Sequence, residues 1–134
     1  MTRVLLALTA LLSLVACGQP EAPSDDGVCW RIDPGTDRAP RFSVLARGVS
    51  DLDTCAVLLE GLRLEGQPST DGAYQGYFIF VDSGPIGSAR SLHGFRYPIF
   101  QPPQRAAVDR DLRRLIQSGG GRMPDPGQID LERH

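Results

Sequence analysis

Lysine and asparagine are absent from the 134 residues, and all 14 basic residues are arginine. Both missing types have adenine-rich codons, so a GC-rich bacterial genome accounts for the arginine bias without any phosphate or nucleic-acid site. Once Arg3 is lost with a leader, as argued below, 13 arginines face 16 acids. That balance offers no broad basic field to a polyanion, and no nucleic-acid partner is expected. Histidine is nearly missing too, with His93 and His134 alone, and neither H-x-x-x-H nor C-x-x-C spacing occurs. A zinc site takes three or four convergent ligands, so no metal or other cofactor is expected. No apolar run approaches the roughly 20 residues of a membrane-spanning helix.

The longest such run, residues 4–15, follows the cationic start Met1-Thr2-Arg3. Its length and flanks are those of the apolar core of a secretory signal peptide. Leu14 stands three before Cys17, where an ordinary signal peptidase wants a small side chain. Leu14-Val15-Ala16-Cys17 resembles instead the lipobox of bacterial lipoproteins. The resemblance covers about the first twenty residues and implies thioether lipidation of Cys17, cleavage before it and acylation of the new amine. Acyl chains contribute about 0.8 kcal/mol per buried methylene, so the anchor would be permanent. Gly18 follows the cysteine, not the aspartate that commonly retains such proteins in the inner membrane. The resemblance therefore points to the outer membrane and a periplasm-facing domain.

The mature chain divides by composition. Residues 17–27, with Pro20, Pro23, Asp25 and Asp26, read as a lipidated cysteine and a flexible tether. Ten such residues extend at most about 35 Å, enough to lift a domain off the headgroups. Residues 118–134, opening with Ser118-Gly119-Gly120-Gly121, read as a flexible tail. Between them lies one domain, residues 28–117.

Within that domain, alternation predicts strands over residues 28–32 and 41–47, joined through Pro34-Gly35. Ser50 begins an S-x-x-D capping pattern, and Leu52, Cys55, Ala56, Leu59 and Leu62 define one buried face of a helix that ends near Gly66 and Pro68. Residues 74–82 read as a central strand, with Phe78 and Phe80 on one face and Tyr77, Ile79 and Val81 on the other. Residues 92–100 form a fourth strand, which Pro98 pushes to an edge because it lacks an amide donor. Pro102-Pro103 opens a second helix with Val108, Leu112, Leu115 and Ile116 inward. The expected fold is α+β, a small antiparallel sheet with two helices on one face in the order ββαββα.

Lipidation of Cys17 leaves Cys29 and Cys55 in an oxidising compartment, where a structural disulfide is expected. In the chain-entropy account, closing that loop stabilises the domain by about 3.5 kcal/mol. Asp51 and Asp53 resemble a carboxylate pair but sit where a helix start favours negative charge. Arg105, Asp109 and Arg113, with Asp111 and Arg114, predict a salt-bridged solvent face on the second helix. Tyr74, Tyr77, Phe95 and Tyr97 are the candidate ligand or partner surface, set against packing roles for the same rings. His93 beside Ser83, Ser88 or Ser91 is the candidate for hydrolase chemistry, although none of these serines lies in a G-x-S-x-G elbow. No catalytic residue is assigned. The expected function is that of a membrane-anchored envelope lipoprotein acting as an adaptor or binding module for an envelope protein. The alternatives are a small periplasmic hydrolase or ligand-binding enzyme using His93, and an inhibitor of a partner enzyme.

Overall fold

The computed structural model describes residues 18–33, 39–67, 70–82 and 84–131. The leader, Cys17, Pro34, Gly35, Pro68, Ser83 and His134 lie outside them. Along the described chain come β1 (Cys29–Ile32), β2 (Phe42–Ala46), α1 (Leu52–Leu64), β3 (Gly72–Tyr74), β4 (Tyr77–Phe80), β5 (Ile86–Ala89), β6 (Tyr97–Phe100) and α2 (Pro102–Ser118). A single 3-10 turn, Pro126–Gln128, follows. The strands form one antiparallel sheet in the order β2-β1-β3-β4-β5-β6. The fold class is therefore α+β, but the order among the described residues is ββαββββα.

Two local causes account for the extra strands. Residues 74–82 are not one strand, because Gln75 (φ 44°) and Gly76 (φ 81°) both take the left-handed conformation and turn β3 back into β4. Positive φ at both central residues suits a tight hairpin turn, a position usually given to Asn-Gly. A chain without asparagine places glutamine there. The short β5 has the sequence IGSA and no alternation of large apolar residues. Its small side chains serve neighbours: Ala89 pairs with Phe78, whose ring is fully buried. Residues 92–96, expected in the fourth strand, are loop, and β6 lies at the sheet edge with Pro98 in it.

Both helices pack on one face of the sheet. There Cys29, Tyr74, Ile79, Ile86 and Phe100 meet Cys55, Leu59 and Leu62 of α1 and Val108 and Leu112 of α2. The disulfide between Cys29 and Cys55 ties β1 to α1, with α-carbons 5.4 Å apart. α1 starts one residue later than the capping pattern suggests. Asp51 is the N-cap, its Oδ1 accepting the Thr54 N–H at 2.7 Å, while Ser50 donates to the other oxygen. Nor does α1 bury a single stripe, since every residue from Thr54 to Leu62 is buried. The sheet covers one side, and α2 with the segment after it covers the other.

That segment was expected to be a flexible tail. It instead folds back, and Met123, Ile129 and Leu131 pack against the helical core. Three large apolar side chains are enough to hold it there once the Gly119–Gly121 turn reverses the chain, with Gly120 and Gly121 at positive φ. The opposite sheet face carries a second apolar cluster of Ala73, Phe78, Phe80 and Ala89, against which Trp30, Ile32, Phe42 and Leu92 pack. Ala22 of the presumed tether is buried in it.

Two glycines mark the closest approaches to α1. A Cβ on Gly72 would collide with the Trp30 carbonyl oxygen and stand 2.7 Å from a Leu59 methyl, so β3 passes under α1 only without a side chain there. A Cβ on Gly61 would meet the terminal atoms of Met123, which can swing aside. Gly72→Ala is expected to lower unfolding free energy by about 3 kcal/mol or more, and Gly61→Ala by about 1 kcal/mol. Denaturant titration checks the ranking, and equal losses would contradict it.

Candidate functional site

The candidate aromatic surface separates into three situations. Tyr74 faces the helical core, 3% exposed, and donates its hydroxyl to the Val49 carbonyl at 2.8 Å. It is thus a packing residue, not part of a platform. Tyr77 is half-buried under Arg90, whose guanidinium lies 5.0 Å from the ring centroid and donates to the hydroxyl at 2.9 Å. Phe95 and Tyr97 are 76% and 65% exposed and meet edge to face with centroids 5.0 Å apart. Only these last two present open rings. They flank Arg96, which turns to the other sheet face, stacks 3.8 Å from the Phe80 centroid and pairs with Asp82 at 2.9 Å.

His93 is exposed in the loop of residues 90–96. Ser91 lies in the same loop and Ser88 is buried in β5. Among the described residues, no hydrogen bond or ion pair joins His93 to a serine or an acid, so no nucleophile and base are assembled there. Asp51 and Asp53 are both exposed at the start of α1. Partial burial alone would raise the Asp51 carboxyl, but hydrogen bonds from Thr54 and Ser50 outweigh it and hold the group below the usual range. Burial and the neighbouring Asp51 charge push Asp53 up. Capping accounts for the pair. Among the described residues, no three His, Cys, Asp or Glu side chains converge as metal ligands.

Surface hollows lie elsewhere. One of about 370 Å³ is lined by Leu115, Ser118, Arg122, Met123 and Asp125 beyond the end of α2. Another of about 220 Å³ lies between Asp82, Pro85, Arg96 and Gln101. Neither is lined by His93, Phe95 or Tyr97.

The most concentrated electrostatics lie inside the protein, at residues that sequence reasoning missed or misplaced. Glu60 is fully buried in α1. Arg105, expected on the solvent face of α2, is 7% exposed and grips this carboxylate with Nε at 3.0 Å and Nη2 at 2.8 Å. Arg63 makes a second two-pronged contact, at 2.9 and 2.6 Å. The remaining Arg105 nitrogen, Nη1, donates to the carbonyls of Asp82 and Gly84 between β4 and β5. One guanidinium thus joins α2 to α1 and to a sheet turn. The available signal was Glu60 itself, a lone acid within the apolar stretch of residues 56–62. A buried acid needs a cation, and Arg105 is that cation.

Asp109, one turn beyond Arg105, completes the cluster. Its Oδ2 accepts from Arg63 at 3.3 Å, whereas its Oδ1 is buried and accepts no hydrogen bond; a bond between Asp109 and Glu60 requires a protonated carboxyl. Burial would raise Glu60, but hydrogen bonds from Arg63 and Arg105 bring it down to about 2. Burial, a hydrogen bond to Glu60 and the Glu60 charge together push Asp109 up to about 6. The two carboxyls divide the available cations unequally. On the solvent side of α2, Asp111 and Arg114 do form the expected pair, at 3.1 Å.

Comparison of the chain with protein-family models, with curated proteins and with solved structures finds no match.

The charge cluster sets a pH profile. Asp109 has a folded pKa above its ordinary 3.8, so the stability it contributes is present at low pH and is lost as pH rises through about 6. Glu60 has the opposite sign: its contribution is present above its ordinary 4.5 and is lost as pH falls toward about 2. Between about pH 4 and pH 6 the unfolding midpoint is expected to fall with rising pH through the Asp109 contribution. Asp109→Asn, whose amide can still donate to Glu60, should flatten that slope. A slope unchanged in the variant would show that another group causes it. Glu60→Ala, which strands Arg105, is expected to cost about 3–5 kcal/mol in a denaturant titration.

Proposed function

We propose that the chain is a lipid-anchored protein of the bacterial envelope, facing the periplasm, whose domain acts by contact instead of turnover. The observation that carries this reading is the joint use of the cysteines. Cys29 and Cys55 are paired with each other, which leaves Cys17 of the Leu14-Val15-Ala16-Cys17 box as the cysteine outside that bond. A disulfide in a small domain suits an oxidising compartment, and a cationic start with a short apolar run supplies the route to it. Gly18 after the cysteine favours the outer membrane.

The adaptor reading draws on what the described residues do with their polar groups. Asp51 caps a helix, Glu60 and Arg105 lock two helices together, and among the described residues no hydrogen bond or ion pair joins His93 to an acid or a serine. An enzyme needs such groups converged on one reacting atom. The open rings of Phe95 and Tyr97 instead offer a contact surface. Among the described residues, no helix is long and apolar enough to cross a membrane.

Cys17→Ala is expected to leave an uncleaved precursor without acyl mass, read by intact mass spectrometry of envelope fractions. A variant that still matures to residue 17 would remove the basis for the lipoprotein reading. His93→Ala should leave the phenotype of the chain in the envelope unchanged, whereas Phe95→Ala with Tyr97→Ala should disrupt it. The reverse pattern would favour the hydrolase.

A further inference from the structure

The sheet has two ends, and the chain enters at one of them. Because β3, β4, β5 and β6 run antiparallel in succession, the β3–β4 turn at Gln75-Gly76 and the β5–β6 loop, residues 90–96, leave by the same end. The amino-terminal segment is fastened there. The Pro23 carbonyl accepts the Gly76 N–H at 2.8 Å, and Asp26 accepts from the Gln75 amide at 3.3 Å. Ala22 is buried in the outer-face cluster against which Leu92 of the loop also packs. The free tether is therefore much shorter than its composition suggests. Between Cys17 and Ala22 the chain takes five residue steps, which span at most about 18 Å.

We infer that this end of the sheet rests on the phospholipid bilayer that holds Cys17, with Phe95 and Tyr97 seated among the headgroups; the inference builds on the lipid-anchor reading. The chemistry of the loop suits that place. Residues 90–96 contain Arg90, His93 and Arg96 and no acid, in a chain whose acids outnumber its bases. Among the described residues Arg90 has no acidic partner, and it is free to add a lipid phosphate to its contact with Tyr77. Arg96 is drawn over Phe80 to Asp82 on the β4–β5 turn, at the other end of the sheet, and takes no part. Phe95 and Tyr97 are two of the three exposed large apolar side chains among the described residues. Tyrosine concentrates at membrane–water boundaries, where its apolar ring and polar hydroxyl are both satisfied, and Phe95 adds apolar area beside Tyr97. Glu21, Asp25 and Asp26 lie on the entry segment. Attraction to anionic lipid is therefore partly offset, and ring burial carries the docking. β6 itself is a poor site for strand addition, because it is four residues long and Pro98 lacks a donor.

The test uses the full chain isolated from bacterial envelopes and reconstituted into phosphatidylcholine vesicles with a fifth phosphatidylglycerol. Phe95→Trp places an indole at the proposed contact, and Pro85→Trp places one on the exposed β4–β5 turn at the opposite end of the sheet. Brominated lipid is the quencher, read over the Trp30 background of the parent. The expected result is a blue shift and loss of about half the emission or more at position 95, with little change at position 85. Equal quenching at the two positions overturns the inference. So does shielding of position 95 that persists in detergent together with a dimer in sedimentation, since the surface would then belong to a second copy. Intact mass of the same sample reports the Cys17 reading separately. A chain without acyl mass that keeps the contrast between positions 95 and 85 would sink the anchor and leave the docking standing.

Discussion

The fold is organised around one carboxylate. Glu60 sits in the middle of a helix that is buried on all sides, and two guanidiniums hold both of its oxygens. Removing such a charge from water is expensive, and only close, multiple hydrogen bonds repay it. The consequence is geometric. Arg105 must come from α2, so α2 can cross α1 in few other ways, and its third nitrogen fixes the turn between β4 and β5. An apolar residue at position 60 would fill the space without specifying that arrangement.

How far the sequence reveals the structure depends on the range of the interaction. Alternation of Phe78 and Phe80 against Ile79 and Val81 is a local pattern, and the two pairs do lie in the two separate clusters. The Cys29–Cys55 disulfide follows from counting thiols, and Pro98 does stand in an edge strand. The hairpin at Gln75-Gly76 was missed because its turn lacks the usual asparagine, and β5 because its neighbours demand small residues. Arg105 was misread because helical spacing alone cannot distinguish a solvent-facing ion pair from a buried one across 45 residues. Its partner Glu60 carried the warning, since an acid amid leucines has to be answered somewhere.

The candidate contact surface shows the same division. Composition alone selected four rings, and position in the sheet sorted them. Tyr74 pairs with Tyr77 across the hairpin, yet one is sealed beneath α1 and its loop while the other lies under Arg90. Phe95 and Tyr97 stay open in the loop and at the first residue of β6, whereas Phe100 at the other end of that strand packs in the helical core. Placement of the entry segment at the end of the sheet where residues 90–96 emerge was not legible, since it rests on a backbone hydrogen bond from Gly76 and on one buried alanine.

The return of residues 123–131 onto α1 bears on the order in which the molecule is completed. The sheet and the Cys29–Cys55 bond draw on residues up to 100, but the side of α1 away from the sheet is closed by α2 and then, last, by Met123, Ile129 and Leu131. A polypeptide threading across a membrane from its amino end would present that apolar flank to water until residue 131 had emerged. On the proposed export route, completion of the core would therefore wait on the last residues of the chain and not on the sheet, whose residues precede them.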